Sequence, residues 1–468
     1  MIDEPDTIAA LATPTGGAVA IVRTSGPRTM DIAAIVAPLS PSPGTPGEGR
    51  GEGRLQSKIS NLKSQIAEHL LPTYRVTGLT LGDSISVPAT VLSFCAPRSS
   101  TGEDVVEYHL PGSPWIVAQL LERLFELGTR QAEPGEFTSR AFLSGKLDLA
   151  AAEGVVATIS ASNRASLNAA RLLLGGELSR RLIPVLDRLA DTLALVEVGI
   201  DFSEEDVSFI DRDRLITQID ACRNDLRELL SAAPSLERLD HEPRIVLAGR
   251  PNAGKSSLLN ALAKRKRAVV ADVAGTTRDA LSERVALPSG YITLVDIAGL
   301  DEVHGEAHSA EDIAGQMHAT ALRTSDTADH VVLVIAADDD RIAVDLPRTP
   351  DLIVRSKSDL ARDTSLPGIY ANVKETSGLD STLTALDGLA FPNGATEFSA
   401  GVALNVRQRS TIAKALSALD RAQEVLDDGA EIVAADLRQS LDALGRVLGR
   451  VAPDDVLGRI FSSFCIGK

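Results

Sequence analysis

The feature that most constrains this chain is residues 244–257, RIVLAGRPNAGKSS, where an apolar run meets a glycine-bounded loop and then a helix-forming segment. The segment Gly249-x-x-x-x-Gly254-Lys255-Ser256 fits the phosphate-loop pattern in its required context, between a strand and a helix. Glycines let successive backbone N–H groups point at phosphates, at the positive end of a helix dipole. We expect Lys255 to act catalytically as a charge on the β- and γ-phosphates and the Ser256 hydroxyl to hold Mg²⁺. An ordinary glycine-rich turn is the alternative for this motif alone.

Three later motifs follow the loop in the order that a GTP site requires. GTTRD at 275–279 supplies a threonine that can complete the Mg²⁺ shell, and DIAG at 296–299 follows a predicted strand. In the second motif we expect the Asp296 carboxylate near the metal and the Gly299 amide near the γ-phosphate. SKSD at 356–359 ends another predicted strand, where Asp359 can accept from guanine N1–H and N2–H₂ while Lys357 covers the base. The order of these motifs predicts GTP rather than ATP.

Composition limits the class of protein. A chain of 468 residues with 44% hydrophobic residues can form two to four domains with real cores. The net charge of −17 argues against a broad basic surface for nucleic acid. Cys95, Cys222 and Cys465 are far apart, which argues against a zinc or disulfide framework and favours a reducing, cytoplasmic location. No apolar run reaches the roughly 18–20 residues of a membrane span, and the acidic N-terminus is unlike a signal peptide.

Changes of pattern divide the chain into four segments. Residues 1–144 are predicted to be α+β, with 41–72 a partly disordered insertion because 41–54, PSPGTPGEGRGEGR, is rich in proline and glycine. Residues 145–241 and 399–468 show helical periodicity. Residues 242–398 alternate strands and helices, which is typical of a doubly wound, mostly parallel sheet. We therefore expect a multidomain α/β and α fold in which the nucleotide domain is inserted between two helical blocks that pack together.

Several strings resemble a known family. GRPNAGKSSLLNAL and AGTTRD resemble the TrmE–Era–EngA group of GTPases. DTIAALATPTGGAVAIVRTSGP, TGEDVVE, EPGEFTSRAFLSGKLDLAAAEGV and the terminal LGRIFSSFCIGK are similar to the MnmE (TrmE) family of tRNA-modification GTPases, over nearly the whole chain outside about 41–72. The resemblance implies an N-terminal folate-binding dimerisation domain, a central helical domain and an inserted GTPase domain.

The resemblance also implies an activity and partners. It implies a cytoplasmic homodimer that works with an FAD-containing partner of MnmG type, as a heterotetramer. Together they would attach an aminomethyl or carboxymethylaminomethyl group to C5 of the wobble uridine in certain tRNAs. A folate such as 5-formyltetrahydrofolate would supply the one-carbon unit. GTP hydrolysis would be stimulated by K⁺ when two nucleotide domains meet.

Residue by residue, the resemblance assigns a nucleotide and metal site. Ser256 and Thr277 match Mg²⁺ ligands, and Asn252 matches an asparagine that binds K⁺, an ion that can offset charge as an arginine finger does. Further K⁺ ligands are expected in the loop 271–276, mainly through backbone carbonyls, at Ala271, Val273 and Thr276. The expected nucleotide contacts are Asn252, Ala253, Gly254, Lys255, Ser256, Ser257, Ala271, Asp272, Val273, Ala274, Gly275, Thr276, Thr277, Asp296, Ile297, Ala298, Gly299, Ser356, Lys357, Asp359, Asn372, Val373 and Lys374.

The resemblance assigns a second, folate site at Arg23, Glu107, Lys146 and Lys468. Basic groups can meet the glutamate-tail carboxylates of a folate, and a carboxylate can pair with the pterin N–H edge. Cys465 lies in the terminal motif near this pocket. Its role stays open between a catalytic residue and an inert, buried small residue. The ending CIGK does not fit the prenylation rule.

Some positions depart from the family pattern. Ser356 stands where a guanine-reading asparagine is expected, so we expect the loss of an amide that contacts the base and braces the phosphate loop. Asn372-Val373-Lys374 replaces the usual Ser-Ala-Lys, and Ile297 replaces a threonine. We therefore expect GTP binding with weaker guanine selectivity than is typical of the family.

Two more departures concern catalysis and the folate domain. The glutamate that orients the attacking water has no clean counterpart; Asp312 is the first candidate and Glu311 the second. Because Asp312 is one methylene shorter than a glutamate, we expect slower hydrolysis than is typical of the family. Pro111-Gly112-Ser113 stands where the family has His-Gly-Gly. A catalytically weakened, nucleotide-regulated scaffold or a ribosome-assembly GTPase is therefore the alternative function.

Overall fold

The structure is a computed structural model that divides into two compact units. It describes residues 6–37, 73–81, 85–201, 212–265, 281–297, 320, 322–339, 346–361, 365–392, 401–427, 429–451, 454–462 and 464–467. The first unit is Met1–Val156, Leu173–Glu228 and Ser410–Lys468, and the second is Ala157–Leu172 and Leu229–Arg409. The predicted insertion at 41–72 lies outside the described residues. The predicted domain boundaries stay a prediction.

The first unit contains a mostly antiparallel six-stranded sheet of order β3-β4-β5-β2-β1-β6, in which only the β1–β6 pair is parallel. Its strands are β1 (Ile8–Leu11), β2 (Val19–Ser25), β3 (Thr73–Leu81), β4 (Ile85–Phe94), β5 (Val105–Pro111) and β6 (Arg130–Gln131). Alternation along β5 buries Val106, Tyr108 and Leu110 in the core. Glu107 and His109 therefore lie on the opposite face of the sheet.

Two helices cover the core face of this sheet. They are α1 (Thr29–Val36) and α2 (Pro114–Glu126), and both contribute buried side chains to the same core as β5. α2 begins with a proline at its first position, where the missing N–H costs nothing, and ends before Gly128, whose φ is +92°.

The rest of the first unit is helical. Its elements, some of which continue into the second unit, are α3 (Glu136–Leu143), α4 (Leu149–Ser160), α5 (Arg164–Leu174), α6 (Glu177–Asp201), α7 (Arg212–Ala232), α11 (Val406–Glu424), α12 (Ala430–Leu448) and α13 (Asp454–Ser462). α6 packs against α12, so the two helical blocks of the sequence meet in this unit. The helical run is interrupted at Gly175-Gly176, between α5 and α6, and α6 continues through Pro184.

The second unit is built on a sheet of order β12-β11-β10-β7-β9-β8, parallel except for the antiparallel edge strand β8. Its elements are α8 (Leu236–Leu239), β7 (Arg244–Ala248), α9 (Lys255–Arg265), β8 (Leu281–Ala286), β9 (Tyr291–Asp296), β10 (His330–Ala336), β11 (Leu352–Ser356), β12 (Ile369–Tyr370) and α10 (Leu379–Ala390). Apolar clusters bury both faces, as a central parallel sheet requires. The predicted fold class is confirmed.

One junction fixes the starts of the two strands that lead to the phosphate loop and to Asp296. Tyr291 N donates to Ser162 O at 3.0 Å, and Arg164 N donates to Ser289 O at 2.8 Å. Ser162 also holds the segment before β7, because its backbone N donates to the Asp240 carboxylate at 2.8 Å. The starts of β9 and β7 are therefore fixed by the same group of hydrogen bonds.

Candidate functional site

The phosphate loop connects β7 to α9 and needs glycine at its first position. A Cβ on Gly249 would lie 2.2 Å from the carbonyl oxygen of Val334, and its φ is +152°. Gly254 (φ +88°) and Asn252 (φ +61°) also have left-handed backbones. Asparagine tolerates this region better than most side chains. The loop therefore curls as a phosphate-binding loop must, and its conformation depends on backbone sterics.

Lys255 begins α9 and lies against the loop. Its side chain is largely buried, and Nζ donates to the carbonyl oxygens of Gly249 and Arg250, both at 3.1 Å. The first N–H groups of an α-helix have no partner within the helix, and they carry the positive end of its dipole. The ammonium and the helix terminus thus concentrate positive charge at one place, which suits an anionic phosphate chain.

A hydroxyl and a carboxylate meet beside the loop. Ser256 Oγ donates to the Asp296 carboxylate, which is in reach because Asp296 pairs in register with Leu247 at the end of β7. Asp296 Oδ1 is buried and has no hydrogen-bond partner among the residues that the structure describes. Such an atom is costly unless a ligand satisfies it. Hard oxygen donors of this kind fit Mg²⁺ or one of its bound waters.

Ser356 fastens the phosphate loop to β11. It is 2% exposed, and its hydroxyl donates to the carbonyl oxygen of Ala253, inside the loop. The expectation that serine at this position loses the brace is therefore wrong, because the shorter side chain reaches the loop backbone itself. The expected loss of a base contact stays a prediction.

The two segments predicted to hold the base lie side by side. Ser358 N donates to Ala371 O at 3.2 Å, which ties the SKSD turn to the segment after β12. Asn372 is 2% exposed, and its side-chain oxygen accepts from Lys374 N at 2.9 Å. Lys357 has a φ of +53°. Asn372 thus shapes the loop from within, a role that the sequence comparison with Ser-Ala-Lys did not predict.

Ile297 lies beside the site but does not line it with its side chain. Ile297 is buried in the core cluster on one sheet face, so its side chain packs there. Of the other predicted site residues, Ser257 and Asp359 are exposed and Val373 is half-buried. The following predicted site residues lie outside the described residues and stay predictions: Ala271, Asp272, Val273, Ala274, Gly275, Thr276, Thr277, Ala298, Gly299, Glu311, Asp312 and Lys468.

The first unit brings two of the four predicted folate residues together on the outer face of its sheet. Arg23 donates to Glu107 Oε1 from Nε at 2.9 Å and from Nη2 at 2.8 Å. The guanidinium lies 5.6 Å from the ring centroid of Phe137 and donates from Nη1 to Gly467 O at 3.5 Å. Lys146 is exposed in the turn after α3. The C-terminal motif therefore reaches Arg23 across most of the chain length.

The C-terminal segment is held by the strand-like residues before α3. Pro134 and Ile466 form an isolated bridge, and Gly135 N donates to Cys465 O at 3.3 Å. Cys465 itself is exposed. The alternative that Cys465 is a buried, inert residue is therefore wrong as to burial, while its catalytic role stays a prediction.

An ion-pair network that the sequence did not reveal adjoins this site. Arg140 donates to Glu103 at 2.9 Å and to Glu136 at 3.0 Å, and Arg130 donates to Asp6 at 2.7 Å and Glu136 at 2.6 Å. Burial alone would raise the pKa of Glu136 and of Asp6, but hydrogen bonds from the two arginines outweigh it and hold both pKa values below their usual range. The four-residue spacing of Glu136 and Arg140, which places them on the same face of a helix, was a sequence signal that could have predicted part of this network.

A glycine-bounded phosphate loop between a buried parallel strand and a helix, with an aspartate at the end of the neighbouring strand, defines a phosphate-loop nucleotide-binding protein. Family models described as "GTP-binding protein TrmE N-terminus" and "MnmE helical domain" match residues 7–146 and 149–465. The chain belongs to the MnmE (TrmE) family of tRNA modification GTPases.

Similar proteins match over their whole length. The tRNA modification GTPase MnmE of Aquifex aeolicus (strain VF5) is 34% identical, covering 98% of this chain and 99% of that protein. Those of Ectopseudomonas mendocina (strain ymp) and Opitutus terrae are each 36% identical, covering 99% of both chains. Within the residues described, no helix has the length and apolarity needed to cross a membrane.

Proposed function

We propose that this chain binds and hydrolyses GTP with Mg²⁺, stimulated by K⁺, and takes part in tRNA modification. The observation that carries the nucleotide part is the loop itself: Gly249 has no room for a side chain, Lys255 lies against the loop, and Ser256 contacts Asp296. The names of the full-length relatives support both the GTPase activity and the tRNA substrate.

We further propose the finer chemistry that the family resemblance implies. In the cytoplasm a homodimer would act with an FAD-bearing partner of MnmG type on C5 of the wobble uridine, using a folate one-carbon unit. The cluster of Arg23, Glu107 and the Gly467 carbonyl supports a folate site, because it offers a cationic group and a carboxylate for an anionic, N–H-rich ligand. The test is nucleoside analysis of tRNA from a strain that lacks its own MnmE and carries this gene. Restored wobble-uridine modification supports the proposal, and unmodified tRNA with full GTP turnover favours the scaffold alternative.

The K⁺ dependence has a sharper test in Asn252. We expect GTP turnover to be at least about tenfold faster in K⁺ than in Na⁺, because a fitted cation offsets charge that develops between the β- and γ-phosphates. N252G keeps the left-handed backbone while removing the amide, so it should turn over GTP equally slowly in both salts. Equal rates for the unmodified chain in K⁺ and Na⁺ would remove the K⁺ proposal.

A further inference from the structure

The carboxylate of Glu107 is held at both of its oxygens. Arg23 donates twice to Oε1, while His109 Nε2 lies 3.2 Å from Oε2. An ionised carboxylate only accepts hydrogen bonds, so the imidazole nitrogen must be the donor. A carboxylate has about four acceptor positions. Among the residues that the structure describes, three are taken, and one on Oε2 is left for a ligand.

We propose that His109 is a positioning residue for the one-carbon site, one that fixes Glu107 so that its remaining lone pair meets an N–H donor of the pterin. This inference rests on the proposed folate function. Arg23 restrains Oε1 only, so the carboxylate could still rotate about the bond that carries it. The imidazole removes that rotation by restraining Oε2. A ligand then meets a preorganised acceptor and does not have to order it.

Strand geometry gives His109 this role. Glu107 and His109 are two residues apart on β5, so both project from the face opposite the core residue Tyr108. On β2, Arg23 pairs in register with Glu107 and Ile21 with His109. The side chains of Arg23, Glu107 and His109 are 23%, 16% and 27% exposed, so the group is open to a ligand yet partly shielded from water. Hydrogen bonds to a charged group gain strength in such surroundings.

The test is equilibrium binding of 5-formyltetrahydrofolate to the full-length chain by calorimetry. H109A should weaken binding by about tenfold, because the carboxylate loses a donor. H109Q, whose amide can also donate to Oε2, should bind within about twofold of the unmodified chain. In an E107A background, H109A should have little further effect, because the imidazole acts through Glu107.

A matched control is available in the second unit. His241 Nε2 lies 3.0 Å from the Asp329 carboxylate, so H241A removes a similar histidine–carboxylate contact away from this site and should leave folate affinity unchanged. Equal affinity of H109A and the unmodified chain would overturn the inference. So would an H109Q variant as weak as H109A, or a full H109A effect in the E107A background.

A second measurement needs no ligand. Two-bond ¹H–¹⁵N correlation of histidine-labelled protein at pH 8, assigned with H109Q, should find His109 protonated at Nε2. Protonation at Nδ1 alone would overturn the inference whether or not folate binds. Absence of folate binding in the unmodified chain, with Nε2 protonated, would instead refute the proposed folate function.

Discussion

The nucleotide site and the proposed one-carbon site of this chain are built in opposite ways. In the second unit, the short stretch from Gly249 to Lys255 forms the loop, and the shape of the loop depends on left-handed backbone angles and on a glycine packed against Val334. In the first unit, the site is assembled from side chains and a carbonyl far apart in sequence, as the contact between Arg23 and Gly467 shows. A site built from backbone should lose ligand affinity when one methyl group is added. A site built from side chains should lose ligand affinity only when a charge or a hydrogen-bond donor is removed.

The largest effect is expected from G249A. The added Cβ would lie 2.2 Å from the Val334 carbonyl oxygen, so the loop must move away from β10. We expect GDP affinity to fall by at least about a hundredfold, roughly 2.7 kcal/mol, because misplaced amides no longer converge on the phosphates. Calorimetric titration with GDP and, separately, with 5-formyltetrahydrofolate measures both sites in one protein.

The matched change is G388A in α10. A Cβ there meets nothing within 4 Å, so alanine should be neutral or stabilise the helix by up to about 1 kcal/mol. GDP binding that survives in G249A, or that is lost equally in G388A, would show that the loop does not depend on its close contact with β10. The contrast between the two sites would then be wrong.

An intermediate effect is expected from R140M, which removes the arginine shared by Glu103 and Glu136. We expect R140M to lower the free energy of unfolding of the first unit by about 2 kcal/mol at pH 7, because partly buried carboxylates lose a charged partner. The pKa values of Asp6 and Glu136 are lowered in the folded chain, so their stabilisation is complete above about pH 4.5 and is lost as the pH falls through those lowered values. The loss of unfolding free energy caused by R140M should therefore be smaller in acid.

Urea unfolding at pH 7 and at pH 3.5 measures this prediction. The single tryptophan, Trp115, lies in the first unit and reports on it by fluorescence. Arg180 is 67% exposed and pairs with Glu177 at 3.0 Å, so R180M is the control and should change stability by less than about 0.5 kcal/mol. A deficit for R140M that is as large at pH 3.5 as at pH 7 would contradict the electrostatic explanation.

The difference in construction also explains how far the sequence could predict each site. The loop was predictable, since Gly249, Lys255 and Ser256 lie close together in the sequence and their chemistry is local. Ser356 was predictable as a member of the site but not in its role, because its bond to Ala253 depends on how far β11 extends beside the loop. Arg23 and Glu107 were predicted through resemblance alone. The contact of Gly467 with Arg23 depends on a C-terminal segment that returns to the N-terminal sheet, and the donor role of His109 depends on strand register. No local sequence pattern predicts either of them.

The smallest predicted effect separates bracing from base reading at Ser356. S356A removes the hydroxyl that donates to Ala253 O, and we expect GDP affinity to fall about fivefold, near 1 kcal/mol. Because this hydrogen bond holds the phosphate loop and does not involve the base, the affinities for GDP, IDP and ADP should fall by the same factor. S417A, which removes a hydroxyl donating to Ala413 O on α11 at 3.0 Å, is the chemical control and should leave all three affinities unchanged.

S356N should then raise the preference for GDP over ADP, because it supplies the missing amide. If S356A weakens GDP and leaves ADP untouched, Ser356 reads the base, and this part of the nucleotide site is built from side chains after all.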